Sequence, residues 1–161
     1  MVHALRNKPS ERNKRMAIKT DMSKAYDRME WSFIEAVMRK MGFSEIWINW
    51  IMRCITSVKY KVLMNGQPRE NNVPERGLRQ GDPLSPFIFI LCTEALVSLL
   101  NHAENQGKIT GMEVMKVVRR YGKASGQCIN FDKSSLLFGK RINANVRQQI
   151  KDIQNFRMKE E

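Results

Sequence analysis

Between Trp31 and Met64 the apolar residues change from a helical to a strand period, which confines the chain to folds that mix helices with short hairpins. Phe33, Ile34, Val37, Met38 and Met41 recur at intervals of three and four, predicting a helix over 31–41 with one buried face. Gly42 supplies a stop. Ser44 is a capping residue, and Ile48, Ile51 and Ile55 mark the buried side of a second predicted helix. Val58, Tyr60, Val62 and Met64 then alternate with polar residues, as in a strand. Asn65-Gly66 follows as a hairpin turn, because both positions tolerate positive φ.

The flanking sequence completes an α+β class, with helices packed on a small, incomplete antiparallel sheet. Met16 to Thr20 predicts a short strand, and residues 67–79, with Pro68 and Pro74, read as a polar, basic stretch. A buried helix is expected from Pro86 to about Leu100, Pro86 suiting its first turn. Residues 109–114 fit a strand and residues 115–124 a helix with Val117, Val118 and Tyr121 apolar. Gly126 breaks that helix, Ile129 and Phe131 alternate as in a strand, and the tail from 141 fits a polar helix carrying Val146, Ile150 and Ile153. Three segments are expected: a basic arm at 1–15, a unit at 16–114, and a unit at 115–161.

A chain of 161 residues is about one domain. Its formal net charge of +12 draws in polyanions, and nucleic acid is the first expected partner because phosphate contacts release counterions. Cys54, Cys92 and Cys128 are odd in number and form no CxxC, and only His3 and His102 could join them, which does not suit a zinc site. Cys54 and Cys92 fall in apolar stretches and are expected in the core, reduced, in an intracellular compartment. The N-terminus has no signal-peptide apolar run. The apolar stretch from Pro86 to Leu100 is shorter than the roughly 20 residues a bilayer needs, so no membrane partner is expected. Nothing points to an oligomer.

Asp21 stands where the first strand should end, and Asp27 follows. A carboxylate there is held rigidly and can face a cleft, as phosphoryl transfer by metal ions requires, since hard Mg²⁺ prefers carboxylates and waters. A capping or solvated aspartate is the competing reading. Further on, GLRQGDPLSP joins the hairpin to the apolar helix. Gly81 permits close backbone approach, Asp82-Pro83 stiffens the loop, and Gln80 can pair with a base edge. A tight connecting loop is the alternative.

AIKTDMSKAYDRMEW resembles motif A, and GLRQGDPLSP motif B, of the non-LTR (LINE-type) retrotransposon reverse transcriptases common in plant genomes. YGKASGQCINFDKSSLLFG resembles motif D, with Asn130 and Lys133 on family positions. The resemblance spans residues 3 to about 140 and implies an RNA-directed DNA polymerase domain working with Mg²⁺ or Mn²⁺ on an RNA template, a DNA primer and dNTPs, with a nuclear site of action. It implies that Asp21 binds the metals, that Met22, Ser23, Lys24 and Ala25 approach the triphosphate, and that Tyr26 lies under the sugar. It places Gln80 and Gly81 at the nucleotide and template, Arg76 and Arg79 near phosphates, and Lys133 as a general acid near the leaving pyrophosphate. Asp27 is expected to hold the turn and start the helix at Trp31. Solvated roles for Arg76 and Lys133 stay open.

The family's motif C, an Ala-Asp-Asp between motifs B and D, has no counterpart. The chain runs KITGMEV directly into MKVVRRYGKASGQ, joining Val114 to Met115, and the aspartates Asp21, Asp27, Asp82, Asp132 and Asp152 include no adjacent pair. Glu113, Glu94 and Glu104 are not expected to substitute. The sequence therefore predicts a reverse transcriptase fragment, inactive as this chain, or alternatively a non-catalytic basic module that binds nucleic acid. A helix-turn-helix DNA reader fits less well, because Trp47, Trp50 and the isoleucines of its second helix suit burial.

Overall fold

The structure is a computed structural model, and it describes residues 16–107, 111–138 and 157–158. The expected arm at 1–15 and the tail helix from 141 lie outside these residues, apart from a two-residue strand at 157–158. Strands β1 (Met16–Lys19) and β2 (Met22–Ser23) lead into helices α1 (Trp31–Lys40) and α2 (Glu45–Thr56). The hairpin β3 (Tyr60–Met64) and β4 (Gln67–Asn72) follows, then helices α3 (Ser85–Asn105) and α4 (Gly111–Ser125). Strands β5 (Cys128–Ile129), β6 (Ser135–Phe138) and β7 (Arg157–Met158) complete the described chain. The α+β class holds, but the strands form three small sheets rather than one: β1-β6-β7, β2-β5 and β3-β4.

The helix pair forms as the periodicity requires. Ile34, Val37 and Met38 of α1 and Ile48, Ile51 and Ile55 of α2 are buried. The Ser44 hydroxyl accepts the Trp47 N–H at 3.3 Å, filling one of the orphan donors of the α2 N-terminus. The core joins these isoleucines to Met29, Met38, Leu78, Ile88 and Cys92. Tyr121 of α4 meets Phe33 edge-on, with ring centroids 5.6 Å apart, and ties α4 to α1.

Several expectations are corrected. Residues 111–114 are the first turn of α4, not a strand, because Met115, Val118 and Tyr121 face the core at a helical interval. Glu113 lies in that turn, 3.2 Å from Lys116. The expected hairpin forms: Asn65-Gly66 returns the chain and β4 pairs with β3, with a bulge between Lys61 and Leu63. All of β3 is exposed, so its alternation reflects a hairpin that pairs backbone to backbone without covering a core. Cys54, Trp47 and Trp50 are also exposed, set off from the buried isoleucine stripe of α2.

Helix α3 departs most from expectation. It runs to Asn105 because no Gly or Pro interrupts it before Gly107. At 21 residues it is long and apolar enough, by length and composition, to cross a membrane, which corrects the expectation of a stretch too short to do so. It is also far from wholly buried. Ile88, Cys92 and Ala103 face inward, while Phe87 and Ile90 are 70% and 57% exposed.

Burial sets the chemistry of two core groups. The Cys92 thiol is pushed up from its ordinary 9.0 to about 12 by desolvation. The Tyr121 hydroxyl rises from 10.0 to about 12, by desolvation first and then by neighbouring Cys92. Both keep their protons in the folded chain at a pH where the unfolded chain has released them, so the unfolded state binds fewer protons. Stability is therefore fully present below about pH 9 and declines as pH rises toward about 12. Urea unfolding across that range should show the midpoint falling with pH, and falling less steeply in Cys92→Ala. Equal slopes in the two chains would remove Cys92 as a source.

Candidate active site

The stretch Asp21–Trp31, with the turn Lys24–Arg28 at its centre, joins β1 to α1, and three separate stretches of sequence converge on it. From the loop before α3, the Gly77 N–H donates to the Met29 carbonyl at 2.8 Å and the Leu78 N–H to the Tyr26 carbonyl at 2.8 Å. The Trp31 indole N–H returns a bond to the Gly77 carbonyl at 2.7 Å. From the α4–β5 junction, the buried Gln127 amide donates to the Ala25 carbonyl at 2.6 Å, and the Glu30 N–H donates to the Ser125 carbonyl at 3.0 Å. From the β5–β6 turn, the Asn130 N–H donates to the Asp21 carbonyl at 2.8 Å, and the Asp21 N–H donates to the Ser134 hydroxyl at 2.9 Å.

Motif A, motif B and the motif D-like stretch therefore meet, as their sequence order alone could not show. Strand β1 pairs with β6 and β2 with β5, so Met22 lies opposite Ile129 and Ser23 opposite Cys128. Asp21 sits half-buried between β1 and β2, both backbone polar groups bonded to the 130–134 turn. Its carboxylate has no hydrogen bond or ion pair among the described residues. Lys133 is exposed in the same turn, its N–H donating to the Asn130 side chain at 3.3 Å. Lys24 is exposed and holds φ at +50°. Tyr26 stacks on Phe89 of α3, with centroids 5.0 Å apart and planes at 11°.

Motif B residues have mixed placements. Gln80 is exposed and donates to the Asp27 carboxylate at 3.3 Å. That bond ties the turn to the loop before α3, while the helix start expected of Asp27 falls to Glu30, the N-cap of α1, which makes no side-chain cap bond. Gly81 is exposed with φ +85° and open space where a Cβ would stand, so backbone conformation demands glycine there. Arg76 is paired with Glu30 at 3.1 Å across an exposed surface, a contact of small energy. Arg79 is exposed and makes no ion pair among the described residues.

Sequence reasoning missed the residues that make the convergence possible. A Cβ on Gly77 would lie 2.9 Å from the Asp27 carbonyl oxygen, and one on Gly126 would lie 2.3 Å from the Arg28 carbonyl oxygen. Both glycines also hold positive φ, +94° and +77°. Gly126 was legible only as a helix break, and its second role depends on a contact about 100 residues away along the chain. Ser134 and Gln127 lie within the motif D-like string, but neither periodicity nor the motif singles them out.

Residues 2–157 match the family described as reverse transcriptase (RNA-dependent DNA polymerase), and the chain belongs to that family. It is similar to the Pol polyprotein of the type-1 retrotransposable element R2 of Popillia japonica, 29% identical over 93 residues, covering 58% of this chain and 15% of the relative. The Pol polyprotein of the type-2 element R2DM of Drosophila melanogaster is 31% identical over 80 residues, 50% of this chain and 8% of the relative. An uncharacterized mitochondrial protein of Arabidopsis thaliana is 54% identical over 52 residues, 32% of this chain and 43% of the relative. The matched segments thus span less than half the length of each of these relatives. Reverse transcriptases as a family use divalent metal ions and act on a primed template.

Among the described residues no three His, Cys, Asp or Glu side chains are grouped to hold a metal.

The close approach at Gly126 yields a stability test. Gly126→Ala should lower unfolding stability by more than the roughly 1–2 kcal/mol of a left-handed non-glycine residue, because the new methyl meets backbone. Gly81→Ala, with the same sign of φ and open space, should cost only that backbone amount. Urea midpoints of the two variants give the comparison, and equal losses would mean that the chain relaxes freely around Gly126.

Proposed function

We propose that this chain is a segment of the polymerase core of a non-LTR retrotransposon reverse transcriptase, and that it holds primed template without completing nucleotide addition by itself. The observation that carries this reading is Asp21: a half-buried carboxylate at a strand end, its backbone anchored on both sides and its oxygens unclaimed among the described residues. Side chains left free in a rigid frame are the ordinary form of a ligand site. Tyr26 and Gln80, expected at the sugar and at the base, are tied to the same turn.

In this reading Asp21 binds a single Mg²⁺ or Mn²⁺ weakly, the backbone of Met22 to Ala25 faces the triphosphate, and Lys133 stands by as a proton donor. When bound, a pair of divalent ions supplies the charge stabilisation that phosphoryl transfer needs. One carboxylate does not hold that pair, and the sequence has no adjacent aspartates to add a second. RNA template and DNA primer are the partners, and the net charge of +12 supports their capture.

A polymerase assay with a primed RNA template, dNTPs and Mg²⁺ or Mn²⁺ tests the proposal. The template should bind, with affinity falling steeply as salt rises, and the primer should stay unextended. Asp21→Ala should bind template as tightly as the parent. Extension by the parent chain that vanishes in Asp21→Ala would show a complete catalytic site and overturn the inactive reading. Failure of the parent to bind any template would remove the nucleic-acid reading.

A further inference from the structure

A cavity of about 300 Å³ lies between the end of α2, the start of β3 and the loop before α3. Its size is at the lower end for small-molecule sites. Ile55, Val58, Pro74 and Leu78 supply apolar surface, Tyr60 an aromatic ring 41% exposed, and Arg76, Arg79 and Asp27 the charge. Asp21 does not line it, so this space is separate from the predicted metal position.

The lining chemistry selects a ligand. The apolar surface with one accessible ring suits a flat aromatic group, because every nucleobase has a π-face that stacks without regard to sequence. The charge nearby is net positive, two arginines against one aspartate. Glu30 already engages Arg76 at 3.1 Å and Gln80 already bonds Asp27 at 3.3 Å, which leaves Arg79 as the lining charge with no partner among the described residues. A guanidinium beside a ring is the pairing that holds a base and its phosphate. One ring and one open arginine bind a free nucleotide poorly. A strand, whose further phosphates meet the rest of a basic surface, gains affinity that a free nucleotide lacks.

We propose that this cavity holds one unpaired nucleotide of a single strand, its base against Tyr60 and its phosphate at Arg79. Asp27 lines the cavity and bonds Gln80, so an occupant here touches the same loop pair that carries Gln80. The inference rests on the reading above that the chain holds nucleic acid, and adds to Arg79, which the motif resemblance already sets near phosphates, a cavity and an aromatic partner, Tyr60, outside the motifs.

Fluorescence anisotropy with labelled RNA of about 12 nucleotides, single-stranded or as a blunt duplex, separates the two readings. Tyr60→Ala should weaken single-strand binding about tenfold and leave duplex binding within about twofold. Arg79→Ala should weaken it and lower the salt slope by about 0.7, one phosphate contact on a single strand. Tyr60→Phe, which keeps the ring, and Arg53→Ala, on exposed α2 surface outside the cavity, should bind within about twofold of the parent. Far-ultraviolet circular dichroism confirms that each variant is folded before it is scored. Unchanged single-strand affinity in folded Tyr60→Ala and Arg79→Ala overturns the cavity proposal while the general reading stands. Equal losses for strand and duplex overturn it as well. A parent that binds neither probe overturns both.

Discussion

The turn from Lys24 to Glu30 has almost no regular structure of its own, yet the rest of the domain is assembled against it. Buried carbonyls must find donors, and here they find them in distant chain: Ala25 from Gln127, Tyr26 from Leu78, Met29 from Gly77. These bonds require the two neighbouring loops to approach closer than a side chain would permit. Gly77 and Gly126 meet that requirement by lacking a Cβ, and both hold a backbone conformation that other residues adopt only under strain. The packing of Met29, at zero exposure between α1 and α2, then fixes the turn to the core.

That arrangement separates what holds the site from what the site does. Asp21 is anchored through its backbone and its carboxylate is left over. A side chain whose backbone is already held by main-chain bonds loses little freedom when it takes a ligand, which favours binding. It does not by itself provide catalysis. Two divalent ions about 4 Å apart repel by about 4 kcal/mol even at the dielectric of water, and more in a cleft. Several carboxylates must offset this, and the 130–134 turn that bonds the Asp21 backbone carries one lysine, Lys133, against one further carboxylate, Asp132. In the proposed reading, the frame presents a strand-end aspartate and falls short of the electrostatics of phosphoryl transfer.

Much of this was legible in the sequence wherever one local rule decided the outcome. The α1–α2 pair follows from its apolar stripe, its Gly42 stop and its Ser44 cap, and all three behave as expected. The hairpin follows from Asn65-Gly66, whose φ angles are both positive. Local rules failed where tertiary contact decided. Residues 111–114 show strand-like composition but continue a helix whose inward face is set by Met115, Val118 and Tyr121. Trp47 and Trp50 are apolar by type and stand in solvent, packed on each other with centroids 6.0 Å apart. At the candidate site the motif strings named Asp21, Tyr26 and Gln80 as candidates, but not what joins them. Ser134 and Gln127 act through single hydrogen bonds to the turn, and no periodicity marks such a residue.

Helix α4 shows how the fold accommodates an abrupt joint in the sequence. The joint between Val114 and Met115, where the sequence passes from the end of the motif B unit to the motif D-like stretch, lies inside this helix rather than in a loop. A helix accepts such a joint if the residues beyond it keep their angular position, and Met115, Val118 and Tyr121 do, all nearly inaccessible to solvent. Tyr121 then reaches Phe33, and Ser125 and Gln127 reach the turn that carries motif A. Nothing in this set of contacts involves a carboxylate that a metal would need. Packing selects volume and hydrogen-bond donors, whereas catalysis selects charge at a particular point, and a chain can satisfy the first demand in full while leaving the second half met.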